Sequence, residues 1–506
     1  MKKHLLNWSN NALINAFIIP QKNKHSSRLL IFVLSFFVLI GTDGFAQCES
    51  WTEVNDSADW SARAGLQAVS INDAFYIMGG RTPKPPSFPP IQGDSYIWND
   101  VWKSTDFGES WTMIHDNDTS ANYWPARGYF QAVTKNDSMF IIGGQNYNVI
   151  VNPFDSSLVS YSDFFDDVWA STDGVNWTEM TDSAGWAGRA GLSAAVYNNE
   201  IYVLGGSTND DAAVIGGPPV RIYYNDVWKS ADGKHWEQLT DSAAWSQRAG
   251  GIAVVKDDYL YMIGGEVGFI CFPGFPCPPY FNDVWRTQNG IDWEPVTYSA
   301  PWSARPGHQV VIADDKFVLF GGFGLVPDNP FIPANPIDTW ISSDGANWEQ
   351  LAAPPWNAFA PTQIKYDFDA LVAYDSSSEM DYIYTFGGDR ETFNFADPTN
   401  HLNIDNDVWK FCANGEILAT NVSSVISDSA LKIYPNPITD KIQIESKSPL
   451  TSLQLFNING GKIREYNLDN STRSYEITNL QDLPSGGFIL KVTVGEEIST
   501  FKLTKH

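Results

Sequence analysis

Residues 201–206 read Ile-Tyr-Val-Leu-Gly-Gly, and residues 226–236 read Asp-Val-Trp-Lys-Ser-Ala-Asp-Gly-Lys-His-Trp. The apolar and aromatic runs are typical of strands, and Asp232-Gly233 is typical of a tight hairpin turn. We therefore predict four short strands in this unit, at about 193–197, 201–204, 226–229 and 236–239.

The same unit recurs along the chain. An apolar run closes on a Gly-Gly pair six times, at Gly79-Gly80, Gly143-Gly144, Gly205-Gly206, Gly264-Gly265, Gly321-Gly322 and Gly387-Gly388. Each pair is followed by Asp-Val-Trp or a close relative, with the tryptophans Trp102, Trp169, Trp228, Trp285, Trp340 and Trp409. Repeats of four strands are typical of propeller blades. The sequence predicts an all-β chain in which residues 47–412 form a six-bladed β-propeller with four-stranded blades.

The first and last repeats are incomplete and together make one blade. Residues 51–54 read as a fourth strand, and the last repeat stops after a third strand at 407–411. Pairing these pieces would close the ring and remove two exposed sheet edges. A Cys48–Cys412 disulfide would stand where other blades have a hairpin turn, and we predict this bond. The remaining pair, Cys271 and Cys277, would then bridge within one Pro-rich loop, with two free thiols as the alternative.

The two ends of the chain read as targeting segments. Residues 29–40 are apolar, follow a positive flank and precede the small-x-small site Gly44-Phe45-Ala46. These features predict a cleaved signal peptide over 1–46, with an uncleaved membrane anchor as the alternative. Residues 413–430 are predicted to be a linker, and the alternating runs of 431–506 predict a small β-sandwich. No transmembrane segment is predicted in the mature protein.

Composition narrows the function classes. The formal net charge is -27, which disfavours nucleic acid as a partner. After the signal peptide, only five histidines remain and no pair has the spacing of a metal site: His115, His235, His308, His401 and His506. We therefore predict no metal, no cofactor and no catalytic constellation.

The repeats resemble Kelch-type repeats, including the propeller domain of the galactose oxidase group. The resemblance covers residues 48–412 and is carried by the Gly-Gly ending, Asp-Val-Trp and the spaced second tryptophan. Residues 104–111 also resemble the Asp-box turn of sialidases, which is a structural motif. These resemblances imply a propeller fold, but Kelch propellers include enzymes, scaffolds and binding proteins.

The C-terminal segment resembles the C-terminal sorting domain of the type IX secretion system. The matching residues are 433–437 (Ile-Tyr-Pro-Asn-Pro), 455–460, 483–492 and 502–505. This resemblance implies the outer-membrane secretion machinery as a partner, and a product that is secreted or attached to the cell surface. A binding module of sandwich type is the alternative.

The first and third strands of a blade run in one direction, and the second and fourth run in the other. The long loops after the Gly-Gly pairs therefore lie on the same face as the loops that enter each first strand. We call this the long-loop face and predict that it carries function, because its loops are rich in aromatic residues. Five arginines precede the first strands: Arg63, Arg127, Arg189, Arg248 and Arg305. We predict that they ring the channel mouth and bind a ligand, with Phe359 at the sixth position. The alternative is structural, with Arg–Asp pairs that join the blades.

Three functions remain open. The first is a binding or adhesion module, with glycan as the favoured ligand and protein as the other. The second is a glycan-active enzyme of the sialic-acid mutarotase kind, using Arg and carboxylates at the channel mouth. The third is a structural surface protein.

Overall fold

A computed structural model describes residues 51–85, 94–120, 122–151, 158–210, 220–268, 279–323, 325–326, 329–333, 338–351, 364–375, 380–391, 397, 399–412, 431–434, 441–457, 462–469, 471–481, 483, 486–494 and 497–505. Within these residues the regular structure is nearly all β-strand, with a short 3-10 helix at Asn400–Leu402.

The strands of the first part of the chain are β1 (Thr52–Asn55), β2 (Gln67–Ile71), β3 (Ala74–Met78), β4 (Arg81–Pro83), β5 (Ser95–Ile97), β6 (Val101–Ser104), β7 (Thr112–His115), β8 (Gln131–Lys135), β9 (Ser138–Ile142), β10 (Gln145–Val151), β11 (Leu158–Phe164), β12 (Val168–Ser171), β13 (Thr178–Thr181), β14 (Ser193–Tyr197), β15 (Glu200–Leu204), β16 (Ser207–Asp210), β17 (Val220–Tyr223), β18 (Val227–Ser230), β19 (Glu237–Thr240), β20 (Ile252–Lys256), β21 (Tyr259–Glu266), β22 (Tyr280–Thr287), β23 (Glu294–Thr297), β24 (His308–Ala313), β25 (Lys316–Gly321), β26 (Leu325–Val326), β27 (Asn329–Pro333), β28 (Thr339–Ser342), β29 (Glu349–Leu351), β30 (Asp369–Asp375), β31 (Met380–Asp389) and β32 (Ile404–Cys412).

These strands build four-stranded antiparallel sheets, which are the blades of a propeller. Within the described residues, 52–412 hold six such sheets, which we number blades 1–6 from β2 onward. The innermost strands are β2, β8, β14, β20, β24 and β30, and each contacts the next. Strand β30 also contacts β2, so the ring is closed. The all-β propeller expected from the sequence is confirmed.

Blade 6 is assembled from both ends of this region. Strand β1 pairs with β32 in antiparallel register, Thr52 opposite Lys410 and Glu53 opposite Trp409, and the sheet order is β1-β32-β31-β30. The ring of Trp51 stacks on Phe411 at 4.9 Å between ring centroids. The predicted closure of the ring by its two ends is therefore present.

The Gly-Gly pairs form the seams between neighbouring blades. Gly205 and Gly206 end β15 with φ of 59° and 98°, values that favour glycine. The Gly206 N–H donates to the carbonyl of Arg248 in the next blade at 2.8 Å. After several of these pairs the long loops begin as two-stranded hairpins, such as β4–β5 and β16–β17.

The hairpins between third and fourth strands are organised by an acidic side chain. In blade 2, Asp173 Oδ1 accepts from the N–H groups of Val175 and Asn176 at 2.9 and 2.7 Å. Desolvation opposes its ionisation, but these bonds outweigh it and lower the pKa of Asp173 from 3.8 to about 2. The tryptophan that follows, Trp177, donates its Nε1–H to Gly174 O at 3.0 Å.

We expect Asp173→Ala to lower the free energy of unfolding by about 0.5–1 kcal/mol at pH 7, the net worth of an exposed hydrogen bond. The folded-state pKa lies below the ordinary value, so this stabilisation is present above about pH 4. It is lost as the pH falls towards 2. Denaturant unfolding of Asp173→Ala and wild type across this range checks it. Val175→Ala, in the same turn, is the control and should show a difference from wild type that does not change with pH.

The C-terminal segment forms a separate pair of sheets. Its strands are β33 (Leu431–Tyr434), β34 (Ile442–Ser446), β35 (Leu450–Asn457), β36 (Lys462–Asn467), β37 (Ser474–Ile477), β38 (Gly486–Val494) and β39 (Glu497–Lys505). The sheets have the orders β33-β34-β37 and β36-β35-β38-β39. Ile444 from one sheet and Leu453 and Leu490 from the other share one buried core. The predicted small β-sandwich is confirmed.

Several predictions fall outside the described residues. The signal peptide over 1–46, the linker over 413–430 and the residues Cys48, Cys271 and Cys277 all lie there. Cys412 ends β32. Both disulfides therefore stay predictions. In the part of the chain that the structure describes, no helix has the length and apolarity needed to cross a membrane.

Candidate functional site

The repeat arginines lie inside the blades, and the prediction that they bind a ligand at the channel mouth is corrected here. Arg127 is fully buried, and its Nη1 and Nη2 donate to Asp167 Oδ1 and Oδ2 at 2.6 and 2.7 Å. Its Nη1 also donates to Gly143 O at 2.8 Å. Equivalent buried pairs are Arg63–Asp100, Arg189–Asp226, Arg248–Asp283 and Arg305–Asp338. These guanidinium groups are committed to the fold, which agrees with the structural alternative.

The same aspartates also hold the Asp-Val-Trp tryptophans. Trp169 Nε1 donates to Asp167 Oδ2 at 2.8 Å, and the pattern recurs in the other blades. In blade 6 the cation is Lys365, whose ammonium group pairs with Asp407. The expectation that Phe359 holds this sixth position is therefore wrong. Phe359 itself lies outside the described residues.

Two residues after each of these cations, the chain reaches the axis of the propeller. The six residues here, which we call the axial ring, are Gly65, Tyr129, Gly191, Gly250, Gly307 and Asp367. All six have positive φ, between 51° and 64°. Backbone hydrogen bonds join ring neighbours, such as Tyr129 N to Gly65 O at 2.9 Å and Gly65 N to Asp367 O at 2.8 Å.

Two members of the axial ring are not glycine. Tyr129 has a φ of 54° and Asp367 a φ of 51°, in a region where bulky side chains are uncommon. Backbone of this kind costs stability and is concentrated at functional sites. Each of these two side chains lies against a neighbouring glycine of the axial ring. A Cβ on Gly65 would lie 3.0 Å from the Tyr129 ring, and a Cβ on Gly307 would lie 2.8 Å from Asp367 Oδ1. Retaining a side chain at these two positions points to a role other than folding.

Tyr129 and Asp367 belong to a polar group that we call the axial cluster, together with Arg81, Glu266 and Asp389. The last three each follow a Gly-Gly pair directly. Arg81 Nε donates to the Tyr129 hydroxyl at 2.6 Å, and Arg81 Nη2 donates to Asp389 Oδ2 at 2.7 Å. The Asp389 side chain is fully buried, whereas the Arg81 side chain keeps 22% of its exposure. The cluster therefore joins blades 1, 2, 4 and 6 at the long-loop end of the axis.

Glu266 differs from the other members because one of its oxygens is unused. Its Oε2 is buried and makes no hydrogen bond within the described residues, and the residue is 9% exposed. This oxygen lies 2.5 Å from the position that a Cβ on Gly250 would take. The glycine of the axial ring therefore makes room for the carboxyl group of Glu266.

The carboxyl groups of the axial cluster are harder to ionise than usual. Burial raises the pKa of Asp367 to about 7, and the charge of Asp389 adds to the shift. Burial raises the pKa of Glu266 well above its ordinary value, and the charge of Asp367 adds to it. Burial also raises the pKa of Asp389 in spite of Arg81. Of these groups, Asp367 can hold or exchange a proton near neutral pH.

The aromatic residues of the long-loop face divide into two groups. Tyr96 is half exposed, whereas Tyr223 and Phe323 are buried. Tyr224 covers the guanidinium of Arg189, with 3.8 Å between the guanidinium carbon and the ring centroid. Tyr280 lies opposite Glu266 in the pairing of β21 and β22. Phe88, Phe154, Phe269, Phe272 and Phe275 lie outside the described residues.

The sequence contains a signal for the axial cluster. In the repeat alignment, the residue after Gly-Gly varies from blade to blade: Arg81, Gln145, Ser207, Glu266, Phe323 and Asp389. Positions that repeat hold the fold, so a polar residue at a position that does not repeat is a better candidate for function. The five arginines, in contrast, stand out in the sequence because they repeat from blade to blade.

Two family models match the two parts of this architecture. The family model described as the KLHDC2/KLHL20/DRC7 Kelch-repeats domain matches residues 65–322, about half of the chain, and the Secretion system C-terminal sorting domain matches residues 432–506. Among solved structures, one titled "Structure of YjhT" has 15% sequence identity and a TM-score of 0.47, and the match covers 70% of this chain and 96% of that chain. No curated protein matches.

The chain belongs to the Kelch-repeat family. Its C-terminal domain is a type IX secretion sorting domain, which implies the secretion machinery as a partner. The protein is thus exported and is secreted or attached to the cell surface.

Proposed function

We propose that this exported Kelch propeller is a glycan-binding protein whose binding site is the axial cluster. The observation that carries the proposal is the pair of non-glycine residues in the axial ring, Tyr129 and Asp367, which retain positive φ where four blades have glycine. Such backbone is maintained when the side chain has a task. Here both side chains belong to a polar group at the end of the axis.

The groups of the axial cluster match the surface of a sugar. Carboxylates accept hydrogen bonds from adjacent hydroxyl groups, while guanidinium and phenol groups donate to ring and hydroxyl oxygens. Arg81, Tyr129 and Asp389 are already fixed by mutual hydrogen bonds, so little side-chain freedom is lost when a ligand binds. The unused oxygen of Glu266 supplies a further acceptor.

A glycan-array screen of the purified protein beside Tyr129→Gly tests the proposal. Glycine is the residue of four other blades, so the variant should fold with a free energy of unfolding within about 1 kcal/mol of wild type. It lacks the phenol and leaves Arg81 without one partner, so we expect binding to weaken about tenfold. Tyr298→Ala, which alters a tyrosine that is 73% exposed, is the control and should bind like wild type. Absence of any bound glycan, or equal binding by Tyr129→Gly, would count against the proposal.

A second candidate is a glycan-active enzyme, and one observation favours it. Asp367 has a pKa raised to about 7 beside Asp389, which is anchored by Arg81. A carboxyl group that titrates near neutral pH can deliver and remove protons at a sugar oxygen. NMR measurement of anomer exchange in a bound reducing sugar separates the candidates, because a binding protein leaves the exchange rate unchanged.

A further inference from the structure

The axial cluster contains more carboxyl groups than cationic groups. It has three carboxyl groups, in Glu266, Asp367 and Asp389, and one guanidinium, in Arg81. Arg81 is shared between the Tyr129 hydroxyl and Asp389. The ion pair of Arg81 is with Asp389, and the charge of Arg81 acts on Asp367 without an ion pair between them.

The nearest cationic side chains outside the cluster form ion pairs with other aspartates. Arg248 lies within electrostatic reach of Glu266, but both of its terminal nitrogens bond to Asp283, at 2.6 and 2.9 Å. In blade 6, Lys365 and Arg390 pair with two further aspartates, Asp405 and Asp407. Glu391 adds another acidic group that acts on this region. Within the described residues, these pairings leave an excess of carboxyl groups over cationic groups at the axis.

The side chain of Glu266 is a second, independent indication that a ligand binds at the axial cluster. Its Oε2 is buried without a hydrogen-bond partner among the described residues, although the residue is more than nine-tenths buried. A buried oxygen that makes no hydrogen bond is unfavourable for the folded protein. The oxygen lies next to Gly250, a member of the axial ring.

We propose that the glycan bound at the axial cluster carries a protonated amino group, which Glu266 and Asp367 bind. This inference rests on the proposed function and specifies its ligand class as an amino sugar. An ammonium group offers three donors and one positive charge, whereas a sugar hydroxyl offers one donor and no charge. It satisfies the Glu266 oxygen and offsets both carboxylates together, and a charge-assisted bond of this kind is about twice as strong as a neutral one.

The electrostatics of the axial cluster agree with this assignment. The pKa values of Asp367 and Glu266 are raised by burial and by neighbouring carboxyl charge, with Arg81 and Arg248 acting in the opposite direction. A bound ammonium would lower both pKa values. At pH 6 the amine is already protonated, so binding should release protons from the carboxyl groups. A neutral glycan should release fewer.

A matched pair of ligands tests the inference on the full-length protein: a glucosamine oligosaccharide and its N-acetylated counterpart, titrated by calorimetry at pH 6 in two buffers. We expect the amine form to bind about tenfold more tightly and to release protons. Glu266→Gln should reduce the affinity for the amine form about tenfold and change that for the acetylated form less than about threefold. Glu237→Gln, which alters an exposed carboxylate on β19, is the control and should match wild type.

Each remaining outcome overturns the inference in a distinguishable way. Equal affinity for the two oligosaccharides removes the amino-group assignment and leaves a glycan site in place. Absence of binding by both forms, together with an empty glycan array, removes the proposed function itself. Loss of binding on addition of EDTA would show that a metal ion meets the carboxylates instead of an ammonium group.

Discussion

Asp167→Ala should lower the free energy of unfolding of the propeller by about 3–5 kcal/mol, the usual effect of removing one partner from a buried ion pair. The substitution leaves the guanidinium of Arg127 buried without its counter-ion, and it leaves the Trp169 indole without an acceptor. The cost is mainly that of an uncompensated buried charge. Equilibrium denaturant unfolding, followed by tryptophan fluorescence, measures it.

Glu200→Gln is the matched control for this prediction. It removes one member of an ion pair with Lys229, in which both side chains are about a quarter exposed or more. Exposed pairs contribute between 0 and about 1 kcal/mol, so this variant should unfold close to wild type. Equal effects of the two substitutions would contradict the structural role that we assign to the repeat arginines.

Gly205→Ala is the second substitution with a large expected effect, about 2–4 kcal/mol of destabilisation. Gly205 has a φ of 59°, and left-handed backbone costs a residue with a Cβ about 1–2 kcal/mol. The added carbon would also lie 2.8 Å from the carbonyl oxygen of Arg248, which belongs to the neighbouring blade. The main chain there accepts a hydrogen bond from Gly206, so the contact cannot relax without opening the seam between blades.

Gly128→Ala provides the comparison for Gly205→Ala. Gly128 lies beside the axial ring, and the nearest atom to an added Cβ is 3.6 Å away, an ordinary contact. Its φ lies outside the left-handed region, so alanine should change the unfolding free energy by less than about 0.5 kcal/mol. Thermal unfolding of both variants decides the matter, and similar midpoints would show that the Gly-Gly seams do not need their glycines.

The fold could be predicted because its signals are local and repeated. Gly205-Gly206 marks a strand end through backbone conformation, and Asp173 marks a hairpin through its own hydrogen bonds to Val175 and Asn176. In blade 3 the predicted strands 193–197 and 201–204 agree with the structure to within one residue. The third and fourth strands each begin one residue later than predicted. These features need no knowledge of distant contacts.

The site could not be predicted in the same way, because its parts come from different blades. Arg81 and Asp389 lie 308 positions apart in the chain and meet only because the ring closes. The burial of Arg127 was also hidden, since a cation at a repeated position fits a mouth and a core equally well in sequence. The alignment placed Phe359 in the sixth position because it counted from a tryptophan, whereas the structure places Lys365 there.

The axial cluster belongs to a protein that is exported from the cell. The sorting domain directs the protein out of the cell, where free sugars and surface glycans are available to a long-loop face. At the axial ring, Gly250 leaves room for the carboxyl group of Glu266, while Tyr129 and Asp367 place side chains there from two other blades. The repeated residues thus build the propeller, and the residues that break the repeat form the site that we propose for the glycan.

The most direct test of this account is a crystal structure of the protein with the glycan that binds best on the array. We predict electron density for a sugar ring at the axial cluster, with a ligand nitrogen or oxygen within hydrogen-bond distance of Glu266 Oε2 and a second contact to Tyr129 or Asp367. The account would be contradicted by a sugar bound elsewhere, for example in the recess between blades 1 and 2 lined by Tyr123, Asn146 and Glu179, with the axial cluster unchanged.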